Sequence, residues 1–234
     1  MDDFTGSPGV LSKSASAYEH LKRLAIRNQL RPGRRLSPTD LAGHFQISVT
    51  PVRDALVRLA AEGFIRAEAS RGYFTKPWTV DEQSDLHQLL MILYVSSVEL
   101  AGPSAGSTIS EGFGRLERRV SSGLDGEPQA AAETYVEDLH LLYSDLANVA
   151  GNATVRAIIR NAADRTRLVR RMDLEVLDHR RATIDALRGI AAAVTAGDLV
   201  RAIDVSRTHQ GQVLSRLPAL IARANVEAQR LKFP

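Results

Sequence analysis

The chain has 234 residues, 44% hydrophobic and 5% aromatic, with 30 Lys/Arg against 27 Asp/Glu and no cysteine. That length suits one large domain or two smaller ones and buries a core without staples, while zero cysteines exclude disulfides, thiol nucleophiles, Cys-ligated zinc and iron–sulfur clusters. No apolar run reaches the ~18 residues that a membrane-spanning helix needs, and the acidic opening MDDFTGSPGV lacks the apolar stretch of a secretory signal, so a cytoplasmic protein with no membrane partner is expected.

Residues 1–15 are polar and Gly/Ser/Pro-containing and read as a flexible tail. From Ser16 the pattern turns helical, with Leu21, Leu24, Ala25 and Asn28 at helical spacing, and stops before the Pro32-Gly33 turn. A short second helix has Thr39 and Asp40 in its opening turn and Leu41, Ala42 and Phe45 facing inward. Gln46-Ile47 leads into a third helix from about Ser48, with Ser48 as its cap and Pro51 tolerated in the first turn. Gly63 ends that helix, and residues 65–69 and 73–76 read as two short strands joined by Ser70-Arg71-Gly72. Three helices and a β-hairpin wing over 16–77 are the layout of a winged helix-turn-helix.

At 100° per residue the third helix puts Val52, Ala55, Leu56 and Leu59 on one face and Thr50, Arg53, Asp54 and Val57 on the other. Its first turn presents amides, hydroxyls and a guanidinium. Amides and hydroxyls hold phosphates, and Arg binds guanine O6 and N7 with two hydrogen bonds. Arg71-Gly72 at the hairpin tip suits the neighbouring minor groove, where glycine allows close backbone approach.

After Pro77 the strand signals vanish. Thr79 with Glu82 starts a helix to about Ala101, and loops over 102–107 and 121–128 separate further helices near 110–121, 129–150, 153–175, 178–196 and 198–217, with a tail to about 230. Asn152 and Asp198, each after a glycine, read as N-caps. The expected fold is mainly α: a winged helix-turn-helix followed by an all-α bundle over 78–234. Charge divides the same way, since residues 1–77 carry 12 Lys/Arg against 7 Asp/Glu and the remainder 18 against 20, a basic module beside a slightly acidic one. The run Arg165, Arg167, Arg170, Arg171 reads as a solvated or intersubunit helix face.

Residues 26–76 resemble the DNA-binding domain of GntR-family bacterial transcription regulators. The resemblance rests on Leu30-Arg31-Pro32-Gly33 with Leu36, Leu41-Ala42, Thr50-Pro51-Val52-Arg53-Asp54-Ala55-Leu56, Leu59, Glu62-Gly63 and Arg71-Gly72. It implies that Thr39, Ser48, Val49, Thr50, Arg53 and Gly72 contact DNA. The family usually has Arg where this chain has Val49, which leaves Arg53 as the principal helix reader and offers a valine to a thymine methyl. The helical part is similar, more loosely, to the FCD (FadR-like) effector and dimerisation domain through Leu139-His140, Ala150-Gly151-Asn152, Ala196-Gly197-Asp198 and His209.

Many FCD domains hold a divalent metal through an Asp, a His four residues on and two further His, a donor set suited to zinc, nickel or manganese. His140 and His209 match two of those positions, but Val136 and Leu187 stand at the others, so no metal is expected and His140 with His209 is the weaker alternative. His179 could substitute only in a different helix register. Leu90 and Tyr94 stand where the family often has Arg and Glu. The resemblance therefore implies a greasy effector pocket at Leu90, Tyr94, Val136, His140, Leu187 and His209, or a pocket that has become core. The expected function is a ligand-responsive regulator, a repressor that binds a near-palindromic operator in double-stranded DNA as a homodimer. The alternatives are a helical-bundle enzyme using His140 and His209 with Asp138 or Glu137, and a module whose winged helix binds protein.

Overall fold

The computed structural model describes residues 13–102, 104–123 and 128–230, in two compact units: the described residues up to Pro77 with those from Asn225, and those from Trp78 to Ala224. The boundary at Pro77 coincides with the charge boundary, while Asn225 onward falls in the N-terminal unit and not in the helical one. Of the expected tail, residues 1–12 lie outside the described residues, and Lys13–Ile26 already forms α1.

The N-terminal unit continues with β1 (Arg35–Leu36), α2 (Pro38–Phe45), α3 (Val49–Ala61), β2 (Arg66–Glu68) and β3 (Gly72–Phe74). Its sheet is three-stranded and antiparallel in the order β1-β3-β2, with Leu36 and Ala67 both opposite Tyr73. The expected two-stranded hairpin thus gains a third strand. Ser37 caps α2, its Oγ accepting from the Asp40 amide at 3.3 Å. Pro38 follows where its missing N–H costs nothing. Asn28, expected on the first helix, lies beyond it at φ 56°. Leu21, Leu36, Leu41, Phe45, Val52, Leu56, Leu59 and Ile65 form the core. Buried Thr75 ties the strand region together, donating to the Arg31 carbonyl at 2.5 Å and accepting from the Arg34 amide at 2.9 Å.

The second unit is six helices: α4 (Val80–Ala101), α5 (Ser104–Gly123), α6 (Pro128–Val149), α7 (Ala153–Leu174), α8 (Leu177–Thr195) and α9 (Leu199–Gln229), the last running into the segment from Asn225. Thr79 Oγ1 accepts from the Glu82 amide at 3.3 Å, Asn152 Oδ1 from two α7 amides at 3.1 Å, and Asp198 Oδ1 from the Arg201 amide at 3.0 Å. Of the expected breaks, one is shortened and one is absent. The helix placed near 110 starts at Ser104, because Ala105 and Ile109 are buried and the hydroxyls of Ser107 and Thr108 donate back to the Ser104 carbonyl. And α9 passes through Pro218, since Leu217, Leu220, Ile221 and Ala224 on both sides of it bury against Leu168, Val169 and Met172; packing outweighs one lost hydrogen bond. Gly112 brings α5 so near α6 that a β-carbon there would lie 2.5 Å from Leu142 Cδ1 and 3.2 Å from its Cβ.

Candidate nucleic-acid interface and ligand cavity

Along α3 the buried residues are Val52, Ala55, Leu56 and Leu59, the face expected from the sequence. Ser48, Thr50, Arg53, Asp54 and Val57 are exposed and Val49 is half-buried against the core. Ser48 has the extended backbone of an N-cap, but its side chain makes no capping hydrogen bond. The capping expectation is therefore corrected, and the hydroxyl stays available. Arg53 makes no hydrogen bond or ion pair among the described residues. Arg58, five residues on, is committed: its Nε donates to Glu62 Oε1 at 2.9 Å and its guanidinium lies 3.7 Å from the centroid of Tyr18, whose hydroxyl donates to Glu62 Oε2 at 2.6 Å. Thr39 is exposed in the first turn of α2. In the wing, exposed Arg71 pairs with Glu68 at 2.7 Å, and Gly72 has φ +98° with the Arg35 guanidinium 3.7 Å from where a β-carbon would stand. The positive φ favours glycine, while the Arg35 distance would be an ordinary contact for a β-carbon.

The helical unit holds a partly open cavity of about 180 Å³. Leu90, Tyr94, Leu187 and His209 are among the residues that line it. Val136 and His140 do not: Val136 is fully buried in the core around α6, and the lining residues of α6 are Leu139, Leu142, Tyr143 and Leu146. His140 is shifted downward by burial, and the charges acting on it, Asp164, Arg170, Arg167 and Arg160, all belong to α7. With His140 off the lining, with hydrocarbon at Val136 and Leu187, and with no group of three His, Asp or Glu side chains among the described residues, this donor set does not fit a divalent metal.

The cavity also holds polar groups that the sequence reading missed. His87 lies on the face of α4 that carries Leu90 and Tyr94, so helical spacing could have found it. Burial pushes its imidazole down to about 4. Burial also lowers His209, and raises the phenols of Tyr94 and Tyr143, whose rings stack at 3.6 Å. Asp173 is buried and accepts two bonds from Arg216, at 2.7 and 2.8 Å, with His179 Nδ1 2.9 Å away. The arginine run is not a solvated face. Arg165 pairs with Glu82, Arg167 with Glu133 at 2.6 Å and Glu137 at 3.0 Å, and Arg171 with Glu175, while Arg170 lines the cavity.

Comparison with known proteins covers both units. A family model for bacterial regulatory proteins of the gntR family matches residues 13–74, and one for the FCD domain matches residues 85–212. The Nta operon transcriptional regulator of Aminobacter aminovorans is 37% identical over 78 residues, 33% of this chain and 37% of that protein, so the match spans little more than a third of the relative. An HTH-type transcriptional regulator in an unstable DNA locus of Streptomyces ambofaciens is 26% identical over 208 residues, 88% of this chain and 86% of that one. A GntR transcriptional regulator from Rhodococcus sp. RHA1 shares the fold, with TM-score 0.67, 20% identity, and coverage of 89% of this chain and 99% of that structure.

Proposed function

The chain belongs to the GntR family of bacterial regulatory proteins and carries an FCD domain, and on that premise we propose that it is a ligand-responsive repressor acting in the cytoplasm. Members of this family are DNA-binding transcription regulators and not enzymes. A homodimer sets two winged helices on successive major-groove half-sites of a near-palindrome. A small molecule in the helical cavity then shifts the balance between DNA-competent and DNA-incompetent dimers.

One observation carries this reading. The guanidinium on the exposed first turns of α3, Arg53, has no partner among the described residues, whereas Arg58 is tied to Glu62 and Tyr18. Arg53 reads a base, Ser48, Thr50 and the local amides fix phosphates, Thr39 joins them from α2, Val49 touches a thymine methyl, and Arg71 with Gly72 engages the neighbouring groove. On the effector side, Leu90, Tyr94, Leu187 and His209 surround the ligand; Val136 and His140 take no part in it. No helix among the described residues is long and apolar enough to cross a membrane.

The test is a mobility-shift assay on DNA flanking the protein's own gene. Arg53→Ala should weaken binding by about 1–3 kcal/mol and loosen specificity, leaving the melting temperature unchanged because no internal contact is lost. Equal binding by both proteins would refute the role.

A further inference from the structure

Resting on the regulator reading above, we propose that Arg35 enters the minor groove beside each half-site and reads groove width there, so that the protein favours A·T-rich flanks. The strand register places this side chain. Arg35 and Arg66 both stand opposite Phe74, so the three side chains share one face of the sheet. Leu36, the next residue, turns the other way and is buried in the core. The Arg35 face is therefore the outward one, and Arg35 is exposed on it. From β1 the side chain crosses to the wing, where its Nε and Nη2 lie 3.7 and 3.8 Å from where a β-carbon on Gly72 would stand. Gly72 follows directly on the turn that joins β2 to β3. The guanidinium of a residue almost forty positions earlier thus lies against bare backbone beside the wing tip.

Charge then singles Arg35 out. Glu68 pairs with Arg66 at 3.0 Å and with Arg71 at 2.7 Å. Both of those guanidinia also lie 5.6 Å from the centroid of the Phe74 ring, so each is held by an acid and by an aromatic face. Arg35 has neither an acid nor a ring as partner among the described residues. Two guanidinia sharing one carboxylate leave a single positive charge, and Arg35 adds a second that nothing there offsets. A narrow minor groove concentrates negative potential and draws such a guanidinium in. A-tracts narrow the groove, while G·C pairs place the guanine 2-amino group in it. The minor groove next to a major-groove half-site lies about half a helical turn, roughly five base pairs, from its centre. Arg53 then reads base edges on one side and Arg35 reads shape on the other. Because A·T and T·A present the same minor-groove acceptors, the flank preference is for A·T over G·C with no regard to strand order.

The experiment selects duplexes from a random library with the full-length protein. Binding is then measured by fluorescence anisotropy on a selected duplex whose flanks are made A·T, G·C or inosine·cytosine. Inosine lacks the 2-amino group, so an I·C pair offers the major groove of G·C and the minor groove of A·T. A·T and I·C flanks should bind about tenfold tighter than G·C flanks. Arg35→Ala should cut that preference to about twofold or less while the half-site preference stays. Its melting temperature should match the wild type, because Arg35 has no internal partner to lose among the described residues. Arg53→Ala should do the reverse, losing the half-site preference and keeping that of the flanks. Four results overturn the proposal: no flank preference in the wild type, one that survives Arg35→Ala, an I·C flank that behaves like G·C, or an equal loss on all three flanks. The last is what a phosphate contact alone would give. Failure to enrich any sequence would instead sink the regulator reading on which the proposal rests.

Discussion

Asp173 gives the sharpest stability test in the helical unit. Its side chain is 5% exposed and accepts both guanidinium bonds of Arg216, which is 19% exposed. In Asp173→Asn the charge disappears, one amide N–H₂ is turned toward a guanidinium, and Arg216 is left half-paired. Breaking a buried pair by removing one partner costs about 3–5 kcal/mol. The asparagine oxygen still accepts one bond and Arg216 retains some solvent, which lowers the expected loss to about 2–4 kcal/mol. For a unit of this size that is a fall in melting temperature on the order of 10 °C. Thermal unfolding followed by circular dichroism reads it directly, and Asp173→Asn/Arg216→Leu should recover part of the loss because no unpaired charge remains. A fall smaller than about 2 °C, or a double variant less stable than the single by the full cost of a second lesion, would refute the reasoning.

Gly112→Ala should destabilise the helical unit by about 1–3 kcal/mol, since the added carbon meets Leu142 at 2.5 Å and the two helices must part; a calorimetric melt measures it, and an unchanged melting temperature would contradict the close approach. Gly72→Ala forces an alanine to φ +98° beside Arg35, at a cost of about 1–2 kcal/mol; urea unfolding should show the loss and the mobility shift a weaker complex. The third outcome concerns pH. The His87 ring falls from 6.5 to about 4 in the folded chain, so the unfolded chain binds the extra proton between those values. Its contribution to stability is full above pH 6.5, declines as pH falls, and is gone below about pH 4, a swing of about 3 kcal/mol. His209 and His140, also lowered by burial, act in the same direction. His87→Gln should flatten this part of the profile, and an unchanged slope would refute it.

The DNA-reading face was legible because a single helix carries it: 3.6-residue periodicity alone separates Val52, Ala55, Leu56 and Leu59 from Thr50 and Arg53. The third strand was not, because two residues become β1 only by pairing with residues almost forty positions later. The passage of α9 through Pro218 was hidden for a similar reason, since the buried residues that hold it come from α7. The cavity was half legible. Its residues on α4 and α8 followed from the resemblance, but on α6 the lining four point about 110° away from His140 at 100° per residue, and such a rotation is decided by packing. Nor does an arginine run say which member lacks an acid; that depended on Glu82, Glu133, Glu137 and Glu175 arriving from α4, α6 and the C-cap of α7.

The missing β-carbon at Gly112 also decides which wall of the cavity can change. Leu142 lies between the backbone of α5 and the cavity, so this part of the wall is set by how closely two helices approach. Room can be gained or lost elsewhere, as on the side of α8 and α9, where Ile190 and Ile203 can be trimmed and Ala186 and Ala202 filled. Ligand size should therefore drift through those four positions while the α5–α6 contact stays fixed, a rigid jaw closed by an adjustable one.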